Sequence, residues 1–195
     1  MQILLKNVRI AFPKIWEPES FGEDGKPACS ASFIVEPANK LAMTTVADAI
    51  KKVAAEKWTT KAADMLKTLR AKNALCLHDG EEKAQYEGFS GNYFVSSRNR
   101  VRPVVVDRNT SPLTQADGRP YAGCYVNVSL DIWAQDNQYG KRVNATLLSV
   151  QFVKDGTSFG GGATGSASDF EDLGDDDSVP AGDAGSAAET DPLFG

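Results

Sequence analysis

YAGCYVNVSLDIWAQDNQYGKRVNATLLSVQFV, residues 121–153, is the stretch that decides the fold class. In its first half Ala122, Cys124, Val126, Val128, Leu130, Ile132 and Ala134 fall on every second position, opposite Tyr125, Asn127, Ser129, Asp131 and Trp133. Strand side chains point alternately to the two faces of a sheet, so this half is one long strand with an apolar and a polar face. In its second half Asn144, Thr146, Leu148, Val150 and Phe152 alternate with Val143, Ala145, Leu147, Ser149 and Gln151, a second long strand. Between them Asp136-Asn137-Gln138-Tyr139-Gly140-Lys141 supplies the Asn and Gly that a hairpin turn uses.

Upstream, Ile3, Leu5, Val8 and Ile10 mark a first strand expected to stop at Pro13, which has no N–H to give to a ladder. Residues 17–27 read as a loop and Ala28 to Val35 as a second strand. From Asn39, a helix cap, the period changes: Met43, Val46, Ile50 and Val53 recur at helical spacing as far as Trp58. Thr60 is expected to cap a second helix ending near Lys72, and a short strand is expected at Ala74 to Leu77. Strands, a helical insertion and a closing hairpin predict a mainly β protein, an OB-fold-like small Greek-key barrel.

Charge divides the chain. Residues 155–195 hold ten carboxylates and no Lys or Arg, set among Gly, Ala and Ser. The whole chain carries 21 basic and 26 acidic residues, so residues 1–154 keep all 21 basic against 16 acidic, a body of +5 joined to a tail of −10. A sequence pI of about 5.0 conceals a basic domain. The division expected is an OB-fold-like DNA-binding domain over 1–154, then a Gly-rich linker and acidic tail over 155–195. That tail has too little apolar surface to offset the entropy of ordering it and is expected to be disordered.

Several function classes are excluded by arithmetic. No apolar run approaches the roughly 18 residues of a membrane span, and the charges among residues 1–9 do not suit a signal peptide, so a cytoplasmic protein is expected. Cys29, Cys76 and Cys124 are odd in number and far apart, which favours buried thiols over disulfides or metal ligands. His78 is the single histidine, which removes most acid–base schemes and zinc sites. Gly160 to Gly165 lacks the Lys of a phosphate loop, and Asp175, Asp176 and Asp177 lie in a segment too loose to hold metals in register. No catalysis, cofactor or metal is expected.

What remains is binding. Tyr86, Phe89, Tyr93 and Phe94 lead into Val95 to Arg102; if that run is extended, Phe94, Ser96, Arg98, Arg100 and Arg102 share a face. Rings stack on unpaired bases whatever their identity, while guanidiniums neutralise phosphates, so the pattern suits single-stranded nucleic acid. Tyr125 and Trp133 on the polar side of their strand, Trp16 beside Lys14, and Tyr139 beside Lys141 and Arg142 add aromatic and basic pairs. The competing reading makes Phe89, Tyr93 and Phe94 core and the arginines a solvated strand face. The lysines of the helical region belong to the wet side of amphipathic helices.

The chain closes on Asp191-Pro192-Leu193-Phe194-Gly195. A basic OB-like body, a Gly-rich linker and an acidic tail with a near-terminal Phe resemble single-stranded DNA-binding proteins. Bacterial ones end in an Asp-Asp-Ile-Pro-Phe-like peptide, and the phage T7 protein in an acidic tail with a final Phe. The body is similar to the phage family DUF2815, through Leu5-Lys6-Asn7-Val8-Arg9-Ile10-Ala11-Phe12-Pro13, Gly91-Asn92-Tyr93-Phe94-Val95-Ser96-Ser97 and Gly123-Cys124-Tyr125-Val126. The resemblance implies a phage replication, recombination and repair accessory that coats single-stranded DNA. Its tail would regulate binding and recruit a replicative polymerase or helicase through Asp175, Asp176, Asp177, Asp191, Leu193 and Phe194. Gly195 follows the aromatic here, a departure from those tails, and homo-oligomerisation or cooperative coating is left open. The rival class is a non-DNA-binding interaction module whose acidic tail mimics DNA.

Overall fold

The hydrophobic periods become strands and helices largely where they stand, in a computed structural model that describes residues 1–20 and 26–160. The strands are β1 (Gln2–Glu19), β2 (Ala28–Val35), β3 (Leu77–Asp79), β4 (Tyr93–Asn99), β5 (Val104–Val106), β6 (Tyr125–Asn137) and β7 (Gly140–Lys154). Two helices, α1 (Lys40–Trp58) and α2 (Ala62–Ala71), form one insertion between β2 and β3. All seven strands join one sheet in the order β3-β4-β2-β1-β6-β7-β5, antiparallel except for β5 on β7. The first half of β7 meets the other side of the sheet. Asn99 Nδ2 donates to Leu147 O at 2.8 Å and Val143 N–H to Ala74 O at 3.0 Å, which curls the sheet into the OB-fold-like barrel.

The barrel interior is filled by the alternating residues, but with changes of phase that simple alternation does not foresee. In β6–β7, Ser129 faces Ser149 while Leu130 faces Leu147, so Leu148 is an extra residue on β7. Because a one-residue bulge moves the following side chains to the opposite face, Val143, Ala145 and Leu147 are buried before it and Val150 and Phe152 after it. Besides an irregularity between Lys14 and Glu19, β1 carries two more one-residue shifts, between Leu5 and Val8 and between Ala11 and Lys14. Each contains a residue in the left-handed region, Asn7 at φ 53° and Phe12 at φ 50°. Pro13 therefore does not end β1: it sits in the second bulge, where its missing N–H costs the ladder nothing.

Asn39 caps α1 as expected, its Oδ1 accepting from Ala42 N–H at 3.2 Å while its Nδ2 donates to Lys6 O at 3.0 Å. Val46, Ala49, Ile50 and Val53 turn into the core. At the far end Trp58 Nε1 donates to Asp136 Oδ2 at 2.8 Å, which ties the helix to the turn end of the β6–β7 hairpin. Thr60 caps nothing; it lies in a 3₁₀ turn, Thr59–Lys61, that runs directly into α2. The three cysteines are buried and free, and burial pushes the Cys76 thiol up to about 12 and Cys124 up to about 11.

Beyond Lys154 the chain folds back on the barrel. Phe159 N–H donates to Ala122 O at 3.0 Å, Arg9 donates to Thr157 O at 2.7 Å, and the Arg9 guanidinium lies 4.2 Å from the Phe159 ring. Gly123 is required there: its φ is +103°, and a Cβ would stand 2.1 Å from Thr157 O. The tail residues Asp175, Asp176, Asp177, Asp191, Leu193 and Phe194 lie outside the described residues.

Candidate nucleic-acid interface

On β2 and β4, Ser30 pairs with Arg98 and Ser32 with Ser96. Their short hydroxyls make the floor of a concavity of about 1130 Å³. The β1 bulge contributes Phe12 and Lys14, the β6–β7 hairpin contributes Trp133, Gln135, Arg142 and Thr146, and the segments around β3 contribute Asn73, His78, Lys83 and Tyr86. Six basic side chains line it: Lys14, Lys26, Lys83, Arg98, Arg100 and Arg142. No carboxylate is among the lining residues. A low floor with cations of one sign focuses a positive potential along the cleft.

Six of the fourteen side chains expected from sequence meet here: Lys14, Tyr86, Arg98, Arg100, Trp133 and Arg142. Tyr86 and Trp133 are 46% and 41% exposed, and Trp133 Nε1 donates to Thr146 Oγ1 at 3.0 Å, which fixes its ring. Arg98 donates to Lys26 O at 2.7 Å, and Lys14 pairs with Glu19.

The other eight are elsewhere. β4 ends at Asn99, whose Oδ1 accepts from Val101 N–H at 3.0 Å, so strand alternation carries Phe94, Ser96 and Arg98 only. Arg102 has turned off that face and lies over the Trp16 ring at 5.4 Å, with Trp16 half-buried against the core. Phe89 and Phe94 are 1% and 2% exposed and pack edge to face at 5.1 Å, with Ala11 and Ile34. Tyr93 is half-buried at the start of β4, between Val35 and Asp79. Tyr125 is taken by Arg9 and Lys154, whose charges lie 5.7 and 4.5 Å from its ring. Tyr139 is exposed at the hairpin tip. Lys141 pairs with Asp136 at 3.2 Å. The Trp58 hydrogen bond, helped by Lys141, holds the Asp136 carboxyl below its ordinary value.

Sequence reading missed Phe12, Lys26, Asn73, His78 and Lys83. Phe12 lines the cleft because its bulge turns it outward; the one signal was an aromatic just before a Pro inside an apolar strand. His78 stacks on Phe94 with centroids 4.8 Å apart and rings 14° from parallel, and its Nδ1 lies 2.6 Å from Asn73 Oδ1. Burial lowers the His78 pKa, with Lys83 adding to the fall and Glu82, 3.5 Å away, opposing it. The unfolded chain therefore takes up this proton before the folded one does. The stability His78 contributes is complete above its ordinary value of 6.5 and is lost as pH falls from there through the lower folded value. Melting temperature is expected to decline between pH 7.5 and 5, and His78→Gln to flatten that decline.

Among the described residues no three His, Cys, Asp or Glu side chains gather to hold a metal, and no helix is long and apolar enough to cross a membrane.

This basic cleft on a curled sheet has relatives. Residues 1–180 match the family model of the single-stranded DNA-binding protein of Enterobacter phage Enc34. The chain belongs to that family. It is 42% identical over 175 residues to protein p50 of Acyrthosiphon pisum secondary endosymbiont phage 1, covering 89% of this chain and 94% of that protein. Among solved structures, the bacteriophage Enc34 single-stranded DNA-binding protein in complex with single-stranded DNA superposes with a TM-score of 0.68 at 27% identity, covering 82% of this chain and 89% of that one. The same protein without DNA gives 0.65 at 26% identity, with 84% and 87% covered. The Enc34-family match agrees with the phage single-stranded DNA-binding resemblance carried by the sequence motifs.

Proposed function

We propose that this protein binds single-stranded DNA without catalysis, along the cleft between the β2–β4 floor and the β6–β7 hairpin. The observation that carries the reading is six cations and no carboxylate sharing one concavity with exposed Tyr86 and Trp133. Arg98, Arg100, Arg142, Lys14 and Lys26 neutralise phosphates, and Tyr86 and Trp133 take bases at roughly 1–3 kcal/mol each. The Enc34 relative, solved with single-stranded DNA, supports the same reading. The role that follows is coating exposed strands during phage replication, recombination and repair in the host cytoplasm. The domain that does so is residues 1–154.

The tail has a part in this proposal through charge. Ten carboxylates tethered to a body of +5 compete with DNA at an effective concentration of order millimolar, attraction that salt screens within about 8 Å at physiological strength. DNA in the cleft frees the tail, and Leu193 and Phe194 then serve as the apolar end that a polymerase or helicase receives. Deleting Asp169 to Gly195 is expected to tighten binding to labelled dT oligomers severalfold at low salt and little at high salt, by fluorescence anisotropy. Equal affinities of full-length and truncated protein at every salt would remove the tail's competing role. A protein indifferent to all oligonucleotides would remove the DNA-binding reading and leave the tail as a DNA mimic.

A further inference from the structure

At one corner of the cleft three separate segments converge. Phe12 comes from the β1 bulge, His78 from β3, and Lys83 and Tyr86 from the turn that follows. Phe12 and Tyr86 meet edge to face at 5.0 Å, and Phe12 is 41% exposed. Phe12 is held at φ 50°, a left-handed conformation that a bulky residue adopts only under strain. Here that conformation keeps an aromatic ring turned into a basic cleft instead of the core.

Lys83 sets the chemistry. Its ammonium lies 5.1, 5.5 and 4.8 Å from the ring centroids of Phe12, Phe89 and Phe94. Among the described residues it makes no hydrogen bond or ion pair, so its three N–H donors face the cleft without an acceptor from those residues. Burial also lowers its pKa, a mark of the same half-dry setting. An incoming phosphate is the wrong acceptor for this spot, since the faces of the surrounding rings carry negative charge density and repel an anion. An unpaired base suits it: the ring lies against Phe12 and Tyr86 while an edge atom accepts from Lys83.

We propose that Phe12, Lys83, Tyr86 and His78 form a seat for one unpaired keto-bearing base, thymine or guanine, at the end of the cleft. The proposal rests on the single-stranded DNA reading above and adds to it a base preference. O4 of thymine and O6 of guanine accept from an ammonium, whereas cytosine and adenine present an amino group at the matching edge position and set donor against donor. The remaining cations, Arg98, Arg100, Arg142, Lys14 and Lys26, follow the backbone.

The test uses the full chain and oligomers of dT and dC of equal length, two pyrimidines that stack weakly, titrated across a salt series at pH 7.5. The expected result is binding to dT tighter than to dC by about three- to tenfold, the scale of one hydrogen bond net of the water contacts it replaces. Lys83→Met is expected to bring dT down to dC with the salt slope unchanged, and Lys83→Arg to keep the preference. Equal binding of dT and dC by the unaltered protein overturns the seat. So does a Lys83→Met protein that loses dT and dC equally with a salt slope lower by about 0.7, since that is the signature of a phosphate contact. Failure to bind either oligomer at any salt overturns the single-stranded DNA reading itself, a different outcome from the loss of preference.

Discussion

Replacing Arg98, Arg100 and Arg142 together by Ala is expected to weaken binding of a dT oligomer by roughly 10²- to 10³-fold near 0.1 M salt, each lost guanidinium contributing about 1–1.5 kcal/mol. The salt slope should fall by about 2, since each phosphate contact on a single strand adds about 0.7. These three come from β4, the segment just after it, and β7, yet they line one concavity, so a single strand crossing the floor meets all of them. Arg102 is the internal control. It sits two residues beyond Arg100 in sequence but lies over Trp16, so Arg102→Ala should cost binding little. Isothermal titration or anisotropy at three salt concentrations decides the matter, with melting curves to show that all variants fold. An Arg102→Ala protein as impaired as the triple variant would mean that the strand runs over the Trp16 side of the barrel.

How far this interface was legible in the sequence follows from what each residue's position depends on. The β6–β7 hairpin was readable because alternation over a dozen residues is a local property of the chain. The bulge at Leu148 was not, since a single-residue change of phase is invisible until a partner strand fixes the register. The apolar set of β1 did carry the mark: Leu5 to Val8 spans three residues where alternation demands two, and a bulge lies there. The site shows the same division. Lys14, Tyr86, Arg98, Arg100, Trp133 and Arg142 have the right chemistry and line the cleft, Lys14 beside Glu19 and Arg98 on Lys26 O. Arg102 and Tyr125 have the right chemistry too, but residues distant in sequence claim them, Trp16 and Arg9 with Lys154, and Lys141 is claimed by Asp136 across the hairpin turn. Phe12, His78 and Lys83 come together because β3, β4, β2 and β1 lie side by side in the sheet, an order that no spacing along the chain reveals.

The second large effect is expected at Gly80, a residue with no side chain to offer either core or ligand. Its N–H donates to Asn92 O at 2.8 Å, and a Cβ built there would stand 1.9 Å from Phe89 O and 2.5 Å from Asn92 O. Both neighbours are backbone carbonyls, so no side-chain rotation can relieve the overlap and the loop from residue 81 to 92 has to move. That loop carries Phe89 into its packing with Phe94, Ala11 and Ile34, and it carries Lys83 and Tyr86 to the cleft. Gly80→Ala should therefore cost about 3 kcal/mol, at the upper end of overpacking, and lower the melting temperature by roughly 6–12 °C for a domain of this size. Binding should fall with it, and the preference for dT over dC should disappear first, because the base seat is built on the displaced loop and the phosphate-binding arginines are not. Gly91→Ala separates this mechanism from ordinary glycine strain. Gly91 has φ +73° with nothing within 4 Å of a Cβ, so its cost is confined to the left-handed backbone, about 1 kcal/mol. If Gly80→Ala melted with Gly91→Ala, the two carbonyls would not be holding the loop, and Lys83 would lose the wall that aims it at a base.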